Sequence, residues 1–198
     1  MVTGFPRSGT TLLYCMLRYA VDGYEFLLRE VPELRQGFIT KSPTAVFSIA
    51  PAHGSHCIVM LRDPRALLTS QHEGEKFREQ GYFISAHSHL SSSSKGVCEW
   101  WEAIKKLVGA LIIRYEELLE DPRRIQQVIA ERFGLRYRDM RYFEDFHKES
   151  HGEVFETAMN GLRPLMRRTR LNERRIDEQF RTYPELYRVC EEMGYAAA

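Results

Sequence analysis

Two glycines spaced five residues apart, close to the start of the chain, constrain this sequence more than any other feature. Gly4 and Gly9 bracket Phe5-Pro6-Arg7-Ser8, and Thr10-Thr11 then open a segment with helical periodicity. Glycines let the backbone turn tightly and direct its N–H groups inward, and the positive end of the following helix faces the same point. The stretch therefore predicts a cradle for a phosphate-like anion.

The identity of the residues in this loop narrows the kind of anion. The spacing matches the pattern G-x-x-x-x-G-K-[ST], except that Thr10 takes the place of the lysine and a basic residue, Arg7, lies inside the loop. In a nucleoside triphosphatase that lysine contacts the terminal phosphates. One guanidinium with several hydroxyls suits a 5′-phosphosulfate instead. The predicted contacts are Pro6, Arg7, Ser8, Gly9, Thr10 and Thr11; a simple turn with a helix cap is the alternative.

Length and composition indicate one globular domain. The chain has 198 residues, of which 43% are hydrophobic, which is enough for one core. The 28 basic and 27 acidic side chains nearly cancel, so no broad nucleic-acid surface is indicated. The apolar runs are too short for a membrane span, and no signal-peptide pattern is recognised, so we expect a soluble cytoplasmic protein. The cysteines are scattered without a Cys-x-x-Cys pair, which favours reduced thiols and no zinc site: Cys15, Cys57, Cys98 and Cys190.

Strand and helix patterns alternate along most of the chain. This alternation predicts an α/β fold, a three-layer sandwich with a mainly parallel central sheet of the P-loop NTPase type. We expect a single domain over 1–198, with an α/β nucleotide-binding core at 1–136 and a helical C-terminal part at 137–198 that covers the site. The predicted helices are Thr11–Ala20, Arg65 to about Phe77, Val97–Val108, a segment from Asp121-Pro122 to Gly134, and Tyr183–Met193; the main predicted strands are Gly37–Thr40, Cys57–Leu61 and Leu111–Ile113.

Basic residues follow two of the predicted strands. Lys41 comes directly after Gly37–Thr40, and Arg62 comes directly after Cys57–Leu61, with Ser70 about two turns into the next helix. Ligands bind at the C-terminal ends of parallel strands. We therefore expect a second anion site near the glycine loop.

With these motifs in order, the sequence resembles the sulfotransferases that use 3′-phosphoadenosine 5′-phosphosulfate (PAPS). Pro6 to Thr11 resembles their 5′-phosphosulfate loop, and Arg62-Asp63-Pro64-Arg65 with Ser70 resembles their 3′-phosphate motif. Arg114-Tyr115-Glu116-Glu117-Leu118 and the closing Met193-Gly194-Tyr195 also recur in bacterial and in carbohydrate- or protein-type members. The cytosolic small-molecule branch has a histidine two residues after its lysine, where this chain has Pro43. The sequence therefore resembles the bacterial and the carbohydrate- or protein-type members more than the cytosolic small-molecule branch.

The resemblance implies a reaction and a set of roles. A sulfuryl group would pass from PAPS to a hydroxyl or amine, leaving 3′,5′-bisphosphoadenosine (PAP), with no metal. Arg7 and Lys41 would neutralise the charge that develops in transfer. Glu30 would be the general base, with Glu25 as second choice and His53 and His72 less favoured. The implied 3′-phosphate contacts are Arg62, Ser70 and, from a C-terminal basic segment, Arg167 and Arg168.

Two other functions stay open on the sequence. A magnesium-dependent P-loop kinase would use Asp63 as its metal-binding acid, although Thr10 in the lysine position argues against it. A non-catalytic nucleotide- or sulfate-binding module would keep the cradle without the base. Small-molecule, carbohydrate and peptide acceptors all remain open, as does the oligomeric state. The segments expected to line the acceptor site are Tyr24–Gln36, Tyr82–Gly96 and Tyr137–Met166. The segment Tyr82–Gly96 is interpreted as either a lid over the site or a plain linker.

Overall fold

The computed structural model describes residues 1–27, 33–42, 45–69, 94–146 and 170–196. The strands are β1 (Val2–Gly4), β2 (Glu25–Phe26), β3 (Phe38–Ile39), β4 (Ile58–Leu61) and β5 (Leu111–Arg114). The α-helices are α1 (Thr10–Ala20), α2 (64–69, as far as it is described), α3 (Ser94–Ile104), α4 (Tyr115–Glu120), α5 (Pro122–Phe133), α6 (Glu173–Thr182) and α7 (Glu185–Glu192). Short 3-10 helices cover Ala45–Phe47, Pro51–His56 and Phe143–Asp145.

The described strands form a parallel arrangement centred on β1 and β4. In the three-stranded sheet, β4 lies between β1 and β5, and both pairs are parallel. The strand β2 pairs in parallel with β3. Just past β3, Thr40 O accepts from Val2 N at 2.8 Å and Ser42 N donates to Val2 O at 3.0 Å, so this pair continues onto β1. The predicted α/β fold with a parallel central sheet is confirmed.

Both faces of β4 are buried, which explains its uninterrupted apolar sequence. Ile58 and Met60 join the core beneath α1 and α5, whereas Val59 and Leu61 join the core beneath α3, α6 and α7. Successive side chains of a strand point to opposite faces, so a central parallel strand must be apolar throughout. The three predicted layers follow from this division. Both tryptophans of α3, Trp100 and Trp101, are buried in the second core.

Several predicted helix boundaries shift. The first helix begins at Thr10, one residue earlier than expected. The helix predicted over Val97–Val108 runs instead from Ser94 to Ile104, and the chain then turns through residues 105–109 to reach β5. Gly109 adopts φ 71° in that turn, and Val108 is exposed. The prediction was too long at its C-terminal end, because Leu107 and Val108 continue the apolar periodicity although the chain already turns there toward β5.

The helix α5 has the ends that its sequence predicts. The Asp121 side chain accepts from Arg124 N at 2.9 Å, Pro122 occupies the first turn, and Gly134 ends the helix in the left-handed conformation. The last helix, α7, covers Glu185–Glu192 within the predicted Tyr183–Met193.

The four cysteines are unbridged and buried. Burial raises the pKa of Cys15 and of Cys190 to about 12, so both stay protonated thiols at neutral pH. Within the part of the chain that the structure describes, no helix has the length and apolar character needed to cross a membrane.

Candidate functional site

The loop between β1 and α1 has the backbone shape of an anion cradle. Ser8 N donates to Phe5 O at 2.9 Å, which closes a tight turn. Arg7 and Gly9 both have positive φ, at 75° and 97°. Alternation of this kind turns neighbouring backbone N–H groups toward one point. Gly9 is also the N-cap of α1 and offers no side chain to the N–H groups of the first turn, which leaves them available to an anion.

The two glycines of the loop are required by close contacts. A Cβ atom on Gly4 would lie 2.5 Å from Ser8 Oγ and 2.7 Å from Met60 O. A Cβ atom on Gly9 would overlap the ring of Tyr115. A side chain at Gly4 would collide with Ser8 and the backbone of β4, and one at Gly9 would collide with Tyr115. The glycine spacing that identified the loop therefore has a steric cause.

Ser8 holds a buried hydroxyl within this loop, close to Gly4. The residue is fully buried, and its Oγ has no hydrogen-bond partner among the described residues. A buried hydroxyl without a hydrogen bond is costly, and a catalytic role or a bound water or ion is among the reasons that native proteins keep one. Together with the glycine geometry, the Ser8 hydroxyl fits a phosphate- or sulfate-type group held inside the loop.

Lys41 reaches the loop from the neighbouring strand. The parallel bridge between Val2 and Lys41 places this lysine at the C-terminal end of the β3 extension, beside β1. Its Nζ donates to Thr11 Oγ1 at 3.2 Å. The structure therefore brings together a cation and a hydroxyl that lie thirty residues apart in the chain, at the first turn of α1.

Arg62 contacts the loop from the other side. Its Nη1 donates to Arg7 O at 2.8 Å, and its guanidinium lies 4.2 Å from the centre of the Tyr115 ring. Only 6% of Arg62 is exposed, and burial lowers the pKa of Arg62 from its usual value, against the opposing effect of Tyr115. Arg62 thus joins the end of β4 to the backbone of the glycine loop, a contact that the sequence did not indicate.

Asp63 is engaged by Arg65. Its carboxylate accepts from Arg65 Nε at 3.0 Å, from Arg65 Nη2 at 2.7 Å and from the Arg65 backbone N–H at 2.9 Å. The last bond makes Asp63 the N-cap of α2, in which Pro64 takes the first position. A carboxylate held in this way is poorly suited to the metal-binding role that the kinase interpretation assigns to it.

Tyr115, which the sequence named only as part of the Arg114–Leu118 motif, also contacts the candidate site. It follows β5 directly and is 5% exposed, wedged between the Gly9 backbone and the Arg62 guanidinium. Its position after a parallel strand is the same signal that identified Arg62. A cation stacked on an aromatic ring is fixed in orientation as well as stabilised.

The other predicted residues are not all placed. Glu30, Ser70, Arg167, Arg168, Pro43 and His72 lie outside the described residues. Glu25 is exposed on β2, and His53 is exposed in the 3-10 helix Pro51–His56.

The residue that precedes Ser70 is placed, and it contacts the C-terminal part of the chain. Thr69 is buried, and its Oγ1 accepts from Asn172 N at 3.1 Å and donates to Arg65 O at 2.9 Å. The chain that follows the basic pair at 167 and 168 therefore returns to the end of the described part of α2. No cluster of three or more His, Cys, Asp or Glu side chains suited to a metal occurs in residues 1–27, 33–42, 45–69, 94–146 and 170–196.

The fold is similar to that of mouse sulfotransferase SULT7A1, whose crystal structure is a complex with PAP. The TM-score is 0.57 and the sequence identity is 16%, over 98% of this chain and 82% of that chain. At this identity the similarity shows the fold. No protein-family model matches the chain, and no curated protein matches it.

Proposed function

We propose that this protein is a sulfotransferase that moves a sulfuryl group from PAPS to a hydroxyl or amine acceptor. The observation that carries the proposal is the convergence of Lys41 and Arg62 on a glycine loop whose buried Ser8 hydroxyl has no partner among the described residues. The fold similarity to a sulfotransferase solved with PAP supports it. We further propose that residues 1–198 form one domain, with a nucleotide-binding core at 1–136 and a C-terminal part at 137–198 that covers the site.

The 5′ end of the donor would lie in the glycine loop. Backbone N–H groups at the start of α1 and the hydroxyls of Ser8, Thr10 and Thr11 would bind its phosphosulfate. The donor supplies an activated sulfur. The acceptor oxygen or nitrogen forms a bond to that sulfur while the bond from sulfur to the bridging phosphate oxygen breaks. Lys41 and Arg7 would neutralise the negative charge that builds on the bridging oxygen.

The acceptor's proton would pass to Glu30 as general base. This assignment continues the likeness to bacterial and to carbohydrate- or protein-type sulfotransferases. Glu25, the second choice, is exposed on β2. A small alcohol, a carbohydrate and a peptide each present the hydroxyl that this scheme requires.

The 3′-phosphate would bind where β4 ends. Arg62 lies there, and Ser70, Arg167 and Arg168 are the other proposed contacts. The hydrogen bond from Asn172 N to Thr69 Oγ1 supports this grouping, because it joins the residue beside Ser70 to the segment that follows the arginine pair. Two anion sites at neighbouring strand ends match a donor that carries charge at both its 5′ and 3′ positions.

Replacing Ser8 by alanine separates a ligand-binding role from a structural one. The substitution removes a buried hydroxyl that has no described partner, so we expect the free energy of unfolding to rise by about 1 kcal/mol. PAP affinity should fall about tenfold, because a charge-assisted hydrogen bond is lost. Chemical denaturation and calorimetry measure the two quantities. Ser48→Ala is the matched control, since Ser48 Oγ already donates to Ala45 O on the surface. A less stable Ser8→Ala variant with unchanged PAP affinity would contradict the assignment.

Glu30→Gln tests the reaction itself. With labelled PAPS and an acceptor found by screening, we expect the wild-type protein to form a sulfated product. Glu30→Gln should lower turnover at least about 100-fold, because the carboxylate that takes the proton is gone, while PAP binding stays intact. Glu25→Gln is the control and should keep its activity. Equal activity in Glu30→Gln and wild type would remove Glu30 as the base, and donor binding without any sulfated product would favour the non-catalytic module.

A further inference from the structure

The C-terminal segment Met193–Tyr195 is fastened to the end of β5 by contacts that the proposed reaction does not use. Arg114 Nη2 donates to Met193 O at 3.0 Å, and the Arg114 guanidinium lies 5.5 Å from the centre of the Tyr195 ring. Gly194 has φ 78°, and a Cβ atom there would overlap Arg114 Nη2. The closing Met-Gly-Tyr and the Arg-Tyr-Glu-Glu motif, separated by about eighty residues in the chain, therefore form one contact.

Glu116 extends this contact to the candidate site. Its Oε2 accepts from the Tyr195 hydroxyl at 2.8 Å, and its Oε1 accepts from the Asp63 backbone N–H at 3.2 Å. Burial, and then the neighbouring Glu116 carboxylate, raises the pKa of Tyr195 above its usual value. The phenol is therefore a protonated donor at neutral pH. One carboxylate thus bridges the C-terminal segment and the residue that directly follows Arg62.

The position of Asp63 controls how β4 turns into α2. Asp63 caps α2 through Arg65 N, and its carbonyl accepts from Leu67 N at 2.9 Å. The backbone N–H of Asp63 lies before the helix, and it donates to the Glu116 carboxylate. This hydrogen bond fixes the position of Asp63. A carboxylate acceptor makes this bond stronger than a neutral one. A shift of the turn would move Arg62 on one side and the helix leading to Ser70 on the other.

We propose that Glu116 and Tyr195 are positioning residues for the donor's 3′-phosphate. They hold the Arg62–Asp63 turn in the orientation that binds this phosphate, without touching the donor themselves. Through this effect on Arg62, Tyr195 contributes to the specificity for a nucleotide that carries a 3′-phosphate. This inference rests on the proposed function.

The test compares two ligands that differ by the 3′-phosphate alone. Calorimetry gives dissociation constants for PAP and for adenosine 5′-phosphate, and the dissociation constant for adenosine 5′-phosphate divided by that for PAP reports the contribution of the 3′-phosphate. We expect Tyr195→Phe and Glu116→Gln each to lower this ratio about fivefold. The double variant should lower it no further, because both substitutions break one bridge. The matched controls are Tyr187→Phe and Glu117→Gln, whose side chains are exposed. Both should leave the ratio unchanged.

A general loss of structure would weaken both ligands together and leave the ratio unchanged. Hydrogen exchange at the Asp63 amide provides a second measurement, and we expect faster exchange in both variants. If wild type binds PAP but neither variant changes the ratio or the exchange rate, the positioning role is wrong and the proposed function stands. If wild type does not bind PAP, both are wrong.

Discussion

Gly9→Ala is expected to abolish PAP binding and to destabilise the protein by about 2–4 kcal/mol. Gly9 has φ 97°, which an alanine adopts only with strain, and the new Cβ would overlap the Tyr115 ring. The ring cannot move freely, because the Arg62 guanidinium lies on it and Arg62 in turn holds Arg7 O. Relief of the overlap would therefore disturb the loop and the end of β4 together. Calorimetry with PAP and chemical denaturation measure the two effects.

Gly134→Ala is the matched control for this substitution. Gly134 also has positive φ, at 63°, but a Cβ there meets nothing within 4 Å. It should cost about 1 kcal/mol through backbone strain alone and leave PAP binding unchanged. Equal losses in the two variants would mean that backbone strain, and not the contact with Tyr115, accounts for the requirement for glycine at position 9.

Lys41→Met should reduce kcat about 100- to 1000-fold while PAP affinity changes less than about tenfold. Methionine keeps most of the volume of the lysine stem but removes the charge that lies beside Thr11. If that charge acts on the bridging oxygen during transfer, its loss affects the transition state far more than the bound product. Initial rates with labelled PAPS, together with calorimetry on PAP, separate the two effects.

Lys106→Met is the control for Lys41→Met, because Lys106 is an exposed lysine just past the end of α3. It should keep full activity. A Lys41→Met variant that loses PAP binding in proportion to turnover would make Lys41 a binding residue, and one with normal turnover would remove it from the site.

The parts of the fold that local pattern determines could be predicted from the sequence. The strand Ile58–Leu61 is apolar at every position because both of its faces are buried, and this is visible without a structure. The glycine spacing of the loop and the caps of α5 are likewise local. Lys41 and Arg62 were located by one rule, that ligands bind where parallel strands end.

Contacts between distant parts of the chain could not be predicted from local sequence patterns. The bond from Arg62 to the Arg7 carbonyl spans 55 residues, and the bond from Tyr195 to Glu116 spans 79. Each depends on the strand order and on a side chain that meets a backbone atom or a carboxylate after the sheet has formed. Local composition carries no trace of such a pairing. Tyr115 was recognised only as part of the Arg114–Leu118 motif, because its contacts with Gly9 and Arg62 likewise join distant parts of the chain.

A comparison of the affinities for two nucleotides tests the central claim most directly. Calorimetry on the wild-type protein with PAP, and separately with ATP plus magnesium, compares the donor product of a sulfotransferase with the substrate of a P-loop kinase. We predict one PAP bound per chain and an affinity for ATP with magnesium at least about 100-fold weaker, because Thr10 replaces the lysine and Arg65 engages Asp63. Tight binding of ATP with magnesium and no binding of PAP would contradict the sulfotransferase assignment.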